Sequence, residues 1–341
     1  MPTQRAHPIL TALRGVSFAV LMLAGGCSGG GGSGGGNGPV GGPTPPPAPP
    51  PRPTGAFATE AGTSRFLTQA TFGPRPEDVS TLTGTRASNW FLAELKKHAS
   101  LQPPQLEAYR AMIADPGEDF PVLAVQSSTF SFWRNAIEGD DQLRQRMAFA
   151  LSQILVVSNF GGELLTDIPE PVAGYQDVLV QGAFGNYRDL LEAVTYSPAM
   201  GYYLTFMGNQ KADPATGRMP DENYAREILQ LFTVGVIELQ PDGEPVLENG
   251  QPVELYDNMD ITGLARVFTG LDLEGLDRQR FPSVVDAVDE WDGLEQALLT
   301  PMAINESLHS PEAKRFLDCD IAAGTPTRSS IDQALDCIMA Q

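Results

Sequence analysis

Cysteine and histidine are the scarcest reactive residues in this 341-residue chain, with three of each. The cysteines stand at 27, 319 and 337, so no Cys-x-x-Cys pair and no Cys/His cluster with zinc spacing exists. The histidines stand at 7, 98 and 309, which leaves few members for a histidine-rich metal site or a His-based triad. Basic residues are few: 22 Lys and Arg stand against 42 Asp and Glu, a formal charge of −20. Such a field repels nucleic acid and anionic lipid headgroups, and favours cations, basic partners or neutral substrates. Outside the Gly runs near residue 30, which read as tether, no Gly-x-Ser-x-Gly elbow, phosphate-binding loop or dinucleotide-binding loop occurs. The apolar stretch Val16–Leu23 is too short to span a bilayer, and no later segment is long and apolar enough.

What is present begins with a leader. Arg5 and Arg14 precede Val16–Leu23, and Leu23-Ala24-Gly25-Gly26-Cys27 follows. This resembles a bacterial lipoprotein signal, in which the cysteine thiol is lipidated and becomes the new N-terminus. The reading is a signal over residues 1–26, lipidation at Cys27, and membrane attachment through that lipid. Ser28 in place of Asp implies the outer membrane, on its periplasmic or surface face. Residues 27–57 read as a disordered Gly/Pro-rich linker, flexible from Gly29 to Gly42 and a stiffer polyproline spacer from Pro43 to Pro53. A folded domain is expected over 58–341.

The periodicity of that domain is helical nearly throughout, so the fold class is mainly α, a multi-helix globular domain. Residues 86–98 predict an amphipathic helix with Trp90, Phe91 and Leu95 inward and Glu94, Lys96 and Lys97 outward. Helices are also expected over 120–137, 141–158, 219–234, 257–270 and 329–340, and as a pair over 187–206 split at Pro198. The 141–158 helix reads as the most buried, capped by Asp141. Pro241-Asp242-Gly243 and Glu248-Asn249-Gly250 mark 236–256 as a loop or small hairpin, and 271–305 reads as irregular and acidic.

Several ordered stretches carry a resemblance: Arg65-Phe66-Leu67-Thr68-Gln69-Ala70-Thr71-Phe72-Gly73-Pro74, Leu143 to Ser152, and Phe184-Gly185-Asn186-Tyr187. They continue through Ser197-Pro198-Ala199-Met200, Met207-Gly208-Asn209-Gln210-Lys211, Pro220 to Glu227, Leu231 to Gly235, and Ala265 to Gly270. The chain is similar in these to the bacterial family called domain of unknown function 1800, over about 60–341. The resemblance implies an exported envelope protein and no established activity. Ser197 stands where members often carry His. Members also tend to continue past a segment like Ile331–Asp336, so a C-terminally truncated product is one expectation.

Four groups of residues are candidates for chemistry. Glu222, Asn223, Arg226, Glu227 and Gln230 fall in one arc of the helix starting near Pro220, while Tyr224, Ala225, Ile228, Leu229, Leu231 and Phe232 fill the other. The polar arc is either a solvated face, with Glu222 and Arg226 paired, or the lining of a cleft. Asn223 and Glu227 could share a sugar hydroxyl or a divalent cation, Ca²⁺ or Mg²⁺ suiting these ligands better than Zn²⁺. Asn209 and Lys211 sit in a helix-ending turn or a ligand-presenting loop. Arg146 is expected to meet a carboxylate, Glu227 or Asp260, and Arg266 a similar partner, as structural ion pairs or substrate anchors. His309 reads as a loop histidine. An oxidising compartment permits a disulfide between Cys319 and Cys337, and two unpaired buried cysteines are the alternative. The leading functional expectation is a lipid-anchored protein that binds or assembles an envelope or exported partner. The alternative is an envelope hydrolase using Glu222 and Glu227 as acid/base, with or without a divalent cation.

Overall fold

The computed structural model of the chain describes residues 57–113, 126–288 and 290–341. The expected signal, Cys27, the tether up to residue 56, and residues 120–125 of one expected helix lie outside the described residues. Helix makes up about 48% of the structure and strand 8%, so the architecture is mainly α.

Among the described residues ten helices build the first part: α1 (Glu60–Ala70), α2 (Pro76–Leu82), α3 (Ala87–Glu94), α4 (Pro103–Ile113), α5 (Ser127–Glu138), α6 (Gln142–Ser152), α7 (Glu163–Asp167), α8 (Glu170–Gly182), α9 (Tyr187–Thr195) and α10 (Pro198–Tyr203). The Thr59 hydroxyl accepts from Gly62 N–H at 3.1 Å and starts α1. The pair α9/α10 breaks where Pro198 takes the first helical position, where its missing N–H costs nothing. α8 lies at the centre, with α4, α5, α6, α9 and α10 packed on it. Its Val172, Tyr175, Leu179 and Val180 are buried in the main core, which runs from Ala148 to Ile338.

The second part has α11 (Asn223–Glu227), widened into a π turn over Ile228–Phe232, then α12 (Asn258–Ala265), α13 (Leu294–Leu298) and α14 (Thr327–Ile338). Three antiparallel pairs join them: β1 (Leu247–Glu248) with β2 (Gln251–Pro252), β3 (Leu271–Asp272) with β4 (Ala303–Ile304), and β5 (Lys314–Phe316) with β6 (Cys319–Ile321). The β1–β2 turn uses Asn249 and Gly250, both at positive φ, as its Asn-Gly sequence predicts. The acidic 271–305 stretch is thus a long excursion between the two strands of one hairpin. Cys319 and Cys337 form a disulfide with Cα atoms 6.4 Å apart, tying β6 to α14.

Three expectations need correction. α3 turns Glu94 inward, 2% exposed, and leaves Phe91 46% exposed. Glu94 is held by the partly exposed Lys97 and accepts from Leu143 N–H, and these partners hold it inward. The helix over 141–158 ends at Ser152, and its buried side is partly polar: Gln142, Gln145 and the preceding Asp141 are buried, while Met147, Ile154 and Val156 are exposed. Asp141 does not cap; it accepts from Ser100 N–H and Gln145 Nε2. The helix expected from Pro220 begins at Asn223, and its π turn carries Leu231 outward, because a wider turn shifts the phase of every following side chain.

Candidate functional site

The 209–227 region holds the six residues that the sequence offers as ligand-binding candidates. Asn209 is buried, and its side chain clamps the backbone of Asp221: Oδ1 accepts from Asp221 N–H at 2.9 Å and Nδ2 donates to Asp221 O at 3.3 Å. Asp221 accepts from Thr205 Oγ1 and from Asn223 N–H, both at 2.9 Å. Glu222 accepts from Thr262 Oγ1 at 2.8 Å and pairs with Arg226 at 3.3 Å. Tyr224 is fully buried, stacked on Phe206 at 4.1 Å, edge-on to Phe268 at 4.7 Å, and bonded to Thr195 Oγ1 at 2.8 Å. Much of this motif therefore holds the core together. Asn223 and Glu227 stand half-buried one turn apart, and among the described residues no group of three His, Cys, Asp or Glu is placed to hold a metal ion.

The expected ion pairs take other forms. Among the described residues Arg146 meets no carboxylate; its guanidinium lies over Phe72 and Phe149, 5.4 and 5.6 Å from their centroids. These rings belong to a half-exposed cluster with Phe132 and Trp133, a setting that binds a cation by its π faces. Asp260 completes a capping box with Asp257 at the start of α12 and accepts from Leu317 N–H at 2.6 Å. Arg266 donates to Ala313 O at 3.3 Å.

The 209–211 loop reaches a cavity by its backbone. Gly208 N–H donates to Leu271 O, Gly270 N–H donates to Asn209 O, and Lys211 N–H donates to Leu308 O. Beside it opens a cleft of about 700 Å³, walled by Gln210, residues 272–279 and residues 303–308. Its charged lining is Asp272, Glu274, Asp277, Arg278 and Glu306. The single cation is already neutralised: Arg278 donates from Nε and Nη2 to both oxygens of Asp272, at 2.7 and 2.6 Å. The cleft thus presents an excess of negative charge, and neither Glu222 nor Glu227 lines it. The acidity of 271–305 was its only sequence signal, and that run by itself gives no convergence.

Behind the 305–308 wall lies a second group that the sequence concealed. His309 is buried, with Nδ1 2.9 Å from Thr269 O and Nε2 3.3 Å from Ser330 Oγ. A carbonyl only accepts, so Nδ1 carries the proton; the single proton of Ser330 Oγ is shared between Nε2 and Thr325 O, 3.2 Å away. Lys314 is fully buried, donating to Ser310 O at 2.9 Å and Glu312 O at 3.2 Å. Burial pushes both the His309 and the Lys314 pKa down. Glu306 accepts from Thr327 N–H and Oγ1, fixing the start of α14. Each of these groups is held by backbone or hydroxyl partners near it, which suits a structural joint between β5 and α14.

The family model described as "Protein of unknown function (DUF1800)" matches residues 65–341. No curated protein and no solved structure matches the chain.

Proposed function

The chain belongs to the DUF1800 family, and we propose, from its leader and its acidic cleft, a lipid-anchored envelope protein that binds a cationic ligand or the basic part of an exported partner. One observation carries the binding reading: a cleft of about 700 Å³ whose Glu274, Asp277 and Glu306 have no free cation opposite them in its lining. The volume falls within the range of small-ligand sites. The leader ending at Cys27 and the tether behind it support the envelope location. Hydrolysis by Glu222 and Glu227 has less behind it, since Glu222 is held by Thr262 and Arg226.

Calorimetric titration of the full chain with spermidine, as a simple polyamine probe, tests the cleft. Binding should weaken from low to moderate salt. The double variant Glu274→Gln/Asp277→Asn should lose roughly 3- to 10-fold in affinity, since each exposed charge pair contributes about 0.2–1 kcal/mol. Equal affinity in the variant removes the cleft from the proposal.

A further inference from the structure

Residues 236–255 form a small flap whose strands are short and whose register is well defined. Ile237 bridges Glu254, Leu239 bridges Pro245, and β1 pairs Leu247 with Pro252. Glu238 N–H donates to Val253 O, Val246 N–H to Glu238 O, and Val253 N–H to Val246 O, at 2.9 to 3.0 Å. Cross-strand partners share a face, and alternate residues return to it. The register therefore places Ile237, Leu239, Pro245, Leu247, Pro252 and Glu254 on one face, and Glu238, Glu244 and Glu248 on the other. Leu239 is 55% exposed and Leu247 60% exposed, so this apolar face is open.

The same segment carries Glu238, Asp242, Glu244, Glu248 and Glu254, all exposed, and no Lys, Arg or His. We propose that the flap docks a basic, amphipathic segment of a partner protein. The partner's apolar side chains would cover Leu239 and Leu247, its Lys or Arg side chains would meet Glu254 on the same face and Asp242 at the turn, and Glu238, Glu244 and Glu248 on the reverse face would add only their longer-range field. Charge decides among occupants. A second copy would set this acidic segment against itself in a two-fold contact, and an anionic lipid surface would be repelled. None of the flap residues lines the cleft, so the inference stands on a separate observation.

The probe is a labelled synthetic helix of about 18 residues, long enough to fold on contact, with Leu on one face and Lys on the other. Fluorescence anisotropy with the full chain should show saturable binding. Peptides with Glu in place of Lys, or Ser in place of Leu, should bind at least about tenfold more weakly. Leu239→Ser/Leu247→Ser, at exposed positions that leave the circular dichroism unchanged, should weaken binding by a similar factor. Glu274→Gln/Asp277→Asn should leave it unchanged. Equal binding of the Glu peptide, or no loss in the Leu239→Ser/Leu247→Ser variant, overturns the proposal. So does self-association of the chain that those two substitutions abolish, which would make the occupant a second copy.

Discussion

Asp177 sits on α8 with 7% of its surface exposed, and its carboxylate accepts from Gln102 N–H at 2.9 Å. Burial pushes its pKa up to about 7, against the opposing pull of that hydrogen bond. A carboxyl whose folded pKa lies above its unfolded value of 3.8 adds stability that is complete below about pH 4. That stability is lost as the pH rises through 7. Asp177→Asn keeps an acceptor for Gln102 and removes the charge. Urea unfolding should show it more stable than the parent by about 1–3 kcal/mol at pH 8, by less than half of that at pH 5, and little different below about pH 4. A parallel pH profile for both proteins would mean that Asp177 ionises without penalty. Residues of this kind were the least legible in the sequence. Glu94, Gln145 and Lys314 look like surface residues in a periodicity analysis, and each is buried. A hydrophobic pattern records side-chain type and not partners, so it misses a buried polar group whose partner lies far along the chain. Asp141 and Ser100 are one such case, and His309 and Thr269 another.

Elements were more legible than residues, wherever a local cause set them. Pro198 broke the 187–206 pair, Asn249-Gly250 made a hairpin turn, and α14 lies where its apolar spacing puts it. The 141–158 run failed because the chain leaves the helix after Ser152, and its last apolar residues then alternate, Ile154 and Val156 outward and Leu155 and Val157 toward the core. Elements held by one close approach left no trace in periodicity. On α12, a Cβ added at Gly263 would lie 1.8 Å from Arg315 O of β5. Two effects oppose each other at this position. Ala in place of a helical Gly gains about 1 kcal/mol of helix propensity. Overpacking against backbone costs about 1–3 kcal/mol or more, and a carbonyl cannot rotate away as a side-chain tip can. The clash should win: Gly263→Ala should lower stability by roughly 2 kcal/mol, read from the urea midpoint. A gain instead would show that α12 and β5 stand further apart.

At the scale of the whole molecule the formal charge of −20 sets the conditions for both binding surfaces. The cleft and the flap are each locally acidic, and the field of the rest of the chain adds to both at long range. Like charges gathered on a folded surface repel one another more than in an expanded chain, so the native state carries a self-repulsion that salt relieves. The Debye length shrinks from about 30 Å at 0.01 M to about 8 Å at 0.15 M, which is shorter than the spacing of most surface charges. Thermal unfolding of the full chain should therefore shift upward between about 0.01 and 0.3 M salt. Relief of about 1 kcal/mol corresponds to roughly 2–4 °C for a domain of this size. Screening depends on ionic strength and not on the identity of the ion. Sodium, potassium and tetramethylammonium chloride should thus give the same rise at equal concentration. Calcium chloride at matched ionic strength tests the remaining question about Asn223 and Glu227. A rise beyond the common curve would follow mass action, RT ln(1 + [L]/Kd), and would require a site. Loss of that excess in Asn223→Ala or Glu227→Ala would place it on α11. A single curve for all four salts is the expected result, since among the described residues no third ligand joins that pair.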